Sequence, residues 1–152
     1  MKPYIRFAQN TDIPILTRFQ QQMAYETELL ELDEPTLSAG IRRVFDEPSK
    51  GKYYTAIIND EIVGSMMTTY EWSDWRNKTV WWIQSVYVRP EFRKMGIFRA
   101  LFDYVHALAL NDPEVGGLRL YVDKTNTNAQ ATYQKMGMNG EHYQVFELMK
   151  MF

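Results

Sequence analysis

The chain contains 152 residues, 45% of them apolar, which fits one globular domain able to bury a core. It has no cysteine, so a disulfide framework, a thiolate metal site and a cysteine nucleophile are all excluded. The formal net charge of −2 and the pI near 5.7 argue against a nucleic-acid-binding protein, whose affinity usually rests on a basic surface.

The first residues of the chain and its hydropathy predict where in the cell the protein is found. The segment MKPYIRF lacks the apolar stretch of a signal peptide, and no apolar run approaches the roughly 18 residues that span a bilayer. We therefore expect a single domain over residues 1–152 that is cytoplasmic and binds neither a membrane nor nucleic acid.

The first third of the chain predicts one strand and two helices. Residues 4 to 8 alternate as a short strand. A helix is predicted from Asp12, as a capping residue, with Pro14 in the first turn, to about Leu30. A second short helix is expected after Pro35.

Three strands are predicted next, because segments rich in β-branched and aromatic residues alternate with turn residues. The first two meet at Asn59-Asp60, a pair typical of a β-hairpin. The predicted strands are KYYTAIIND, EIVGSMMTTYEW and TVWWIQSVYV. Together they predict a meander.

The last third predicts helices that alternate with strands. After Pro90 the apolar positions return to helical spacing, and this helix should end before Asn111. A strand at GLRLYVD leads to a helix capped by Asn126 and closed by Gly137. The segment YQVFELM alternates as a last strand. The sum is an α+β domain.

Residues 89 to 99 join a predicted strand to a predicted helix through a basic loop that contains Gly96. Such a connection leaves several backbone N–H groups pointing toward one position, where an anion can bind. The charged residues of this segment are four cations and one acid: Arg89, Arg93, Lys94, Arg99 and Glu91. A solvated basic turn would have the same composition, so charge alone leaves both interpretations open. The segment is neither a Walker loop nor a dinucleotide fingerprint.

This loop resembles the phosphate loop of the GNAT superfamily of N-acetyltransferases, whose pattern is Arg/Gln-x-x-Gly-x-Gly/Ala. Residues 93 to 98, RKMGIF, match it except at Phe98, where the family has a small residue. The ring of Phe98 should turn away from the pyrophosphate while its N–H still donates. A second family block, Asn-x-x-Ala-x-x-x-Tyr-x-x-x-Gly followed by an apolar residue, is also present. Its residues are Asn126, Ala129, Tyr133, Gly137 and Met138. The resemblance covers about residues 53 to 146.

The resemblance implies a mixed, mostly antiparallel central sheet flanked by helices in α/β/α-like layers, with the fourth and fifth strands splayed. Acetyl-CoA would lie between those strands, with its pyrophosphate at the amides from Lys94 to Arg99. Its pantetheine would pair like an added strand with backbone groups of Val86 and Val88. The implied cofactor-binding residues are Val86, Tyr87, Val88, Arg93, Lys94, Met95, Gly96, Ile97, Phe98, Arg99, Asn126 and Tyr133.

The implied chemistry is direct attack of a primary amine, on a small molecule or a peptide, on the thioester. The Val86 N–H would polarise the thioester carbonyl, and Tyr133 occupies the family's position for the acid that protonates the departing thiolate. Tyr133 is therefore the implied catalytic residue, and a packed helix tyrosine is the alternative. Two histidines far apart give no metal site.

The sequence does not assign a general base. Family members often carry a glutamate in the fourth strand, but the matching segment is Ile83-Gln84-Ser85. The candidate carboxylates are Glu26, Glu31, Glu71 and Asp74, each of which also fits a surface position. The acceptor could instead arrive as the free amine.

The acceptor should be bound by the variable parts of the chain. Residues 26 to 47 hold seven acidic and two basic side chains. The neighbouring strand ends carry five aromatic residues: Tyr70, Trp72, Trp75, Trp81 and Trp82. Acidic and aromatic groups together suit a cationic amine, although a solvated helix face beside core aromatics has the same composition.

Two other functions are weighed against the acetyltransferase. An acyl-CoA-binding regulatory module with little or no turnover is suggested by Phe98 and by the absence of a glutamate in the fourth strand. A tRNA-directed acetyltransferase is disfavoured by the acidic pI. A homodimer through an exposed strand edge or aromatic surface is a further hypothesis.

Overall fold

The computed structural model of the chain describes residues 2–150 and divides into two compact units that meet in sequence after Leu120. The strands of the first unit are β1 (Tyr4–Phe7), β2 (Lys52–Ile58), β3 (Glu61–Ser73), β4 (Lys78–Val88) and β5 (Val115–Leu120). Its helices are α1 (Ile13–Glu28), α2 (Glu34–Asp46) and α3 (Ile97–Leu110). The second unit contains α4 (Thr127–Lys135). No helix within residues 2–150 has both the length and the apolar character needed to cross a membrane.

The five strands form one mixed sheet in the order β1-β2-β3-β4-β5. Strands β1 to β4 pair with one another antiparallel, and β5 runs parallel to β4, with α3 as the crossover between them. Asn59 and Asp60 both have positive φ, at 49° and 63°, which is the backbone of a type I′ hairpin turn. The predicted meander and the mostly antiparallel sheet flanked by helices are therefore confirmed.

The two faces of the sheet are covered by different helices. On one face α1 and α2 pack through a buried cluster that includes Leu16, Ile41 and Tyr53. On the other face α3 supplies Tyr104, whose ring meets the ring of Tyr54 edge to face at 6.1 Å. Because neighbouring side chains of a strand point to opposite faces, Tyr53 and Tyr54 belong to different layers of the core. These layers decide which residues of β3 and β4 can reach a common site.

The start of α1 differs from its prediction in one contact. Asp12 does precede the helix, which begins at Ile13, but its carboxylate does not accept an N–H of α1. It accepts the Gln9 N–H at 2.7 Å and the Arg6 guanidinium at 2.7 Å instead. Burial alone would raise the pKa of Asp12, but the hydrogen bonds from Arg6 and Gln9 outweigh it and lower the pKa. Asp12 therefore ties β1 to the start of α1.

The second helix begins earlier than predicted. It starts at Glu34, before Pro35, because Asp33 caps it by accepting the Thr36 N–H at 3.1 Å. Pro35 then lies in the first turn, where its missing N–H costs no helical hydrogen bond. Asp33 was the capping signal that the prediction overlooked.

The second unit confirms one predicted element and contradicts another. Asn126 caps α4 by accepting the Ala129 N–H at 3.0 Å, and Gly137 follows the helix with a φ of 90°, as expected. The prediction of a last strand at residues 143–149 is wrong, since no strand is assigned there. A strand needs a partner for its ladder of hydrogen bonds, and alternation of apolar residues does not supply that partner.

Candidate active site

The middle of β4 carries a β-bulge. The register between β3 and β4 shifts between Ser65 and Met67, so that Ser85 and Val86 together oppose Met66. Ser85 has a φ of 53°, unusual for a residue with a side chain. A bulge bends the strand and redirects its backbone groups, and bulges are common beside active sites.

Past the bulge, the edge of β4 that faces away from β3 is open in the sense that no strand within residues 2–150 pairs with it. The ladder between β4 and β5 ends at Ile83 opposite Leu120, so residues 84–88 lie beyond the paired part of this edge. The Arg89 N–H donates to the Val63 carbonyl on β3 at 2.9 Å. Because N–H groups alternate along a strand, Val86 and Val88 point their N–H groups to the side away from β3. Open strand edges of this kind accept an extended ligand as an added strand.

The loop between β4 and α3 presents backbone amides to an open space. Lys94 and Gly96 both have left-handed backbones, with φ of 62° and 81°. The first hydrogen bond of α3 runs from the Ala100 N–H to the Gly96 carbonyl at 3.0 Å, so the preceding amides have no acceptor within the helix. A Cβ built on Gly96 would meet no atom within 4 Å. This arrangement fits an anion at the start of α3.

Apolar side chains fix the position of the first turn of α3. Ile97 is buried, and a Cβ on Gly64 would lie 3.1 Å from its Cγ2, so the glycine permits close approach of α3 to β3. The ring of Phe98 packs against Phe102, one turn further along the helix, with centroids 6.2 Å apart. The backbone at the start of α3 therefore remains available, although Phe98 replaces a small residue.

Ion pairs neutralise most of the basic charge of this loop. Arg89 pairs with Glu61 (3.2 Å) and Glu91 (2.9 Å), Arg93 with Glu26 (2.8 Å), and Arg99 with Asp103 (3.0 Å). Lys94 forms no ion pair within residues 2–150. An arriving anion would therefore meet backbone amides and Lys94, and much less positive charge than the sequence between Arg89 and Arg99 indicates.

The fold and this loop agree with a comparison against protein-family models, in which residues 16–138 match the acetyltransferase (GNAT) family. The chain belongs to the GNAT family. A crystal structure of a possible acetyltransferase from Clostridium difficile 630 is 40% identical, covers 100% of both chains and has a TM-score of 0.91. No curated protein matches the chain.

A more distant GNAT-like structure was solved with a ligand. It is a predicted acetyltransferase from Clostridium acetobutylicum with acetyl-CoA, 17% identical over 95% of this chain and 96% of that one, with a TM-score of 0.76. At this identity the likeness concerns the fold alone. GNAT acetyltransferases use acetyl-CoA as the acetyl donor. The amides before Ala100 and the open space at Gly96 fit the diphosphate of that donor.

Two of the four candidate bases are already engaged. Glu71 on β3 accepts the Trp82 indole N–H at 3.2 Å and the guanidinium of Arg119. Glu26 accepts from Tyr87 and from Arg93. Both carboxylates therefore already accept hydrogen bonds from two neighbouring side chains.

The other two candidates also lie at the surface. Asp74 lies in the turn between β3 and β4 and accepts the Trp75 N–H at 2.9 Å, and Glu31 lies exposed between α1 and α2. Gln84, at the place of the family's glutamate, donates to the Thr69 hydroxyl at 2.7 Å. It can orient a substrate or water but cannot take up a proton at neutral pH.

The aromatic residues do not form one cluster. Tyr70 and Trp81 meet edge to face at 6.3 Å and line a cavity of about 500 Å³ together with Leu108 of α3. Trp82 lies on the opposite face of β4, beside Glu71. Trp75 is 92% exposed in the turn. The aromatic residues expected to act together are thus divided between the two faces of the sheet and an exposed turn.

The second unit carries the implied acid. Tyr133 lies on α4 and is half-buried, and burial raises the pKa of its phenol above the ordinary value. A raised pKa keeps the phenol protonated at neutral and mildly alkaline pH. Asn126 uses its side-chain oxygen to cap α4. This hydrogen bond fixes the start of the helix that carries Tyr133.

The left-handed backbone of Gly96 predicts that adding a methyl group there weakens the binding of acetyl-CoA. Gly96→Ala forces a side chain onto a φ of 81°, which costs about 1–2 kcal/mol unless the loop rearranges. We expect acetyl-CoA to bind roughly tenfold more weakly in calorimetry. Gly40→Ala is the matched control, since Gly40 lies in α2, where its added Cβ would also meet no atom within 4 Å. Equal affinity in both variants would show that the loop conformation is not needed for binding.

Proposed function

We propose that this GNAT protein transfers the acetyl group of acetyl-CoA to a primary amine of a small molecule or peptide. The observation that carries the proposal is the combination of the open edge at residues 84–88 with the exposed amides at the start of α3. A thioester with a long amide-bearing arm and a diphosphate needs both features. The open edge of β4 binds the arm as an added strand, and the amides at the start of α3 bind the negative charge of the diphosphate.

The donor is held mainly by the backbone. Val86 and Val88 pair with the pantetheine arm, and the Val86 N–H polarises the thioester carbonyl where negative charge develops. The amides from Lys94 to Arg99 bind the diphosphate, with Lys94 as an additional cation. Backbone donors of this kind place few demands on side-chain type, which explains how Met95 and Phe98 are tolerated.

The acceptor must lose a proton before or during attack. A lysine-like amine with a pKa of about 10.4 costs roughly 4.6 kcal/mol to deprotonate at pH 7. Gln84 cannot accept that proton, and Glu71 is held by Arg119. The amine therefore reacts as its neutral form or through water, and the rate with a lysine-like acceptor rises with pH below its pKa.

The leaving thiolate also needs a proton. Tyr133 supplies it, because a phenol and a thiol have similar pKa values and burial keeps the phenol protonated. The amine nitrogen forms its bond to the acetyl carbon, the carbon–sulfur bond breaks, and the nitrogen gives up one proton to water. Tyr133, which has protonated the thiolate, regains a proton from water. The products are the N-acetylated amine and CoA thiol.

A binding module without turnover is the second candidate. It is favoured by the ion pairs of Glu26 with Arg93 and of Glu71 with Arg119, since both carboxylates already have partners within the protein. Such a module would need the donor site but not Tyr133. Turnover separates the two candidates.

The test is release of CoA thiol from acetyl-CoA, followed with a thiol-reactive chromophore. The chain has no cysteine, so the protein gives no background. The amine panel comprises polyamines, aminoglycosides, amino acids and basic peptides. We expect release with one amine class above the rate without amine. CoA binding by calorimetry with no release across the panel would favour the binding module, and absence of CoA binding would overturn both candidates.

A further inference from the structure

One side-chain cluster joins three elements around the proposed donor site. Glu26, in the last turn of α1, accepts the Tyr87 hydroxyl at 3.2 Å through one carboxylate oxygen and an Arg93 N–H at 2.8 Å through the other. Arg93 also donates its Nε–H to the Val88 carbonyl at 2.8 Å. The cluster therefore links the end of α1, the end of β4 and the start of the phosphate loop.

Packing fixes the geometry of this cluster. Tyr87 is only 4% exposed, and its ring lies 5.0 Å from that of Phe19 on α1. The Arg93 guanidinium lies over the same ring at 5.4 Å. Burial and the neighbouring Glu26 raise the pKa of Tyr87, so its hydroxyl remains a donor to Glu26. A guanidinium held by a carboxylate, a carbonyl and a ring has little freedom to turn elsewhere.

We propose that Glu26 is a positioning residue for the acetyl-CoA site and acts through Arg93. The Arg93 side chain braces the loop against Val88 and Glu26 and is not a ligand of the diphosphate. This inference rests on the proposed function, since it concerns the donor of that reaction. It also makes α1 a determinant of acetyl-CoA affinity, although α1 contributes no residue to the phosphate loop itself.

The direction in which Glu26→Gln changes CoA affinity shows whether Arg93 braces the loop or binds the phosphate. If Arg93 braces the loop, Glu26→Gln removes the charge that holds it and should weaken CoA binding about 3- to 10-fold, because both side chains are partly exposed. If Arg93 instead binds phosphate, Glu26 competes for it, and the same substitution should leave CoA binding unchanged or tighter. Calorimetry with CoA measures directly whether the affinity falls or rises.

Glu28→Gln is the matched control. It removes the same charge two residues away in the same helical turn, from an exposed side chain. It should change CoA affinity less than 2-fold if the effect of Glu26 depends on contact and not on long-range charge. An equal loss in both variants would overturn the brace.

A double substitution tests the coupling. Arg93→Gln should weaken CoA binding, and adding Glu26→Gln should weaken it no further, since the two side chains act through one contact. Additive losses would overturn the proposal. In steady-state kinetics Glu26→Gln should raise the KM for acetyl-CoA and keep kcat within about 2-fold, because the group does not take part in the chemical step. A large fall in kcat at unchanged KM would make Glu26 a base and not a brace.

A failure of the Glu26 proposal can be distinguished from a failure of the proposed acetyl transfer. Calorimetry needs no acceptor, so a wild-type protein that binds CoA without acetyl transfer leaves the test intact. If the wild-type protein binds no CoA, amide hydrogen exchange at residues 94–97 compares the Glu26→Gln and Glu28→Gln variants directly. Faster exchange in Glu26→Gln alone is the expected result, and equal exchange would overturn the brace.

Discussion

Replacing Tyr133 with phenylalanine should lower kcat about 100- to 10,000-fold, the usual range for loss of a general acid. Phenylalanine keeps the ring and loses only the proton donor, so the packing of α4 should persist. The KM for acetyl-CoA should change little. Steady-state thiol release at saturating amine measures the effect, and circular dichroism checks the fold.

The control for Tyr133→Phe is Tyr25→Phe, an exposed tyrosine on α1. It should leave kcat within about 2-fold, as surface substitutions usually do. The pH profile gives an independent check. Because burial raises the pKa of Tyr133, its loss of a proton should not lower kcat until the pH exceeds the ordinary tyrosine pKa of about 10. A kcat within about 3-fold of the wild type in Tyr133→Phe would make Tyr133 a packing residue only.

Removing the Val86 N–H should lower kcat by about 100- to 1,000-fold, the cost of losing one donor to a developing oxyanion. The amide can be replaced by an ester, using the α-hydroxy acid analogue of valine during translation. This change removes the N–H and keeps the side chain and the backbone dihedrals of the bulge. A proline at the same place would instead disturb Ser85, whose φ of 53° is incompatible with a following proline.

An ester at Tyr87 is the control for the Val86 ester. The Tyr87 N–H points toward β3, since the Arg89 N–H two residues later donates to Val63. It should therefore lower the stability of the sheet without a comparable loss of kcat. Equal losses of kcat from both esters would contradict the assignment of Val86 to the thioester carbonyl.

Much of the fold follows from local signals in the sequence. Asn59-Asp60 supports a hairpin because both residues tolerate positive φ, and Asn126 and Gly137 mark the ends of α4 through capping chemistry. Residues 93 to 98 could be compared with the GNAT phosphate loop because that pattern is also contained in one short segment of the sequence. Each of these features depends on residues close together in sequence.

The remainder depends on contacts between distant residues. Glu26 and Glu61 neutralise cations of the loop from far away in sequence, so counting charges between Arg89 and Arg99 could not find them. The bulge at Ser85 depends on register with β3 and leaves no signal in β4 alone. The apolar residues at 143–149 alternate as in a strand, but no strand forms there, because the alternation does not show whether a neighbouring strand is available for pairing.

Transfer of a labelled acetyl group tests the central claim most directly. Acetyl-CoA carrying ¹³C in the acetyl group is incubated with the protein and the amine that gives the fastest thiol release, and the label is followed by NMR. The account predicts that the thioester signal is replaced by the signal of an N-acetyl amide, and that Tyr133→Phe slows this conversion. Appearance of the label only as an O-acetyl ester or as free acetate would contradict transfer to an amine.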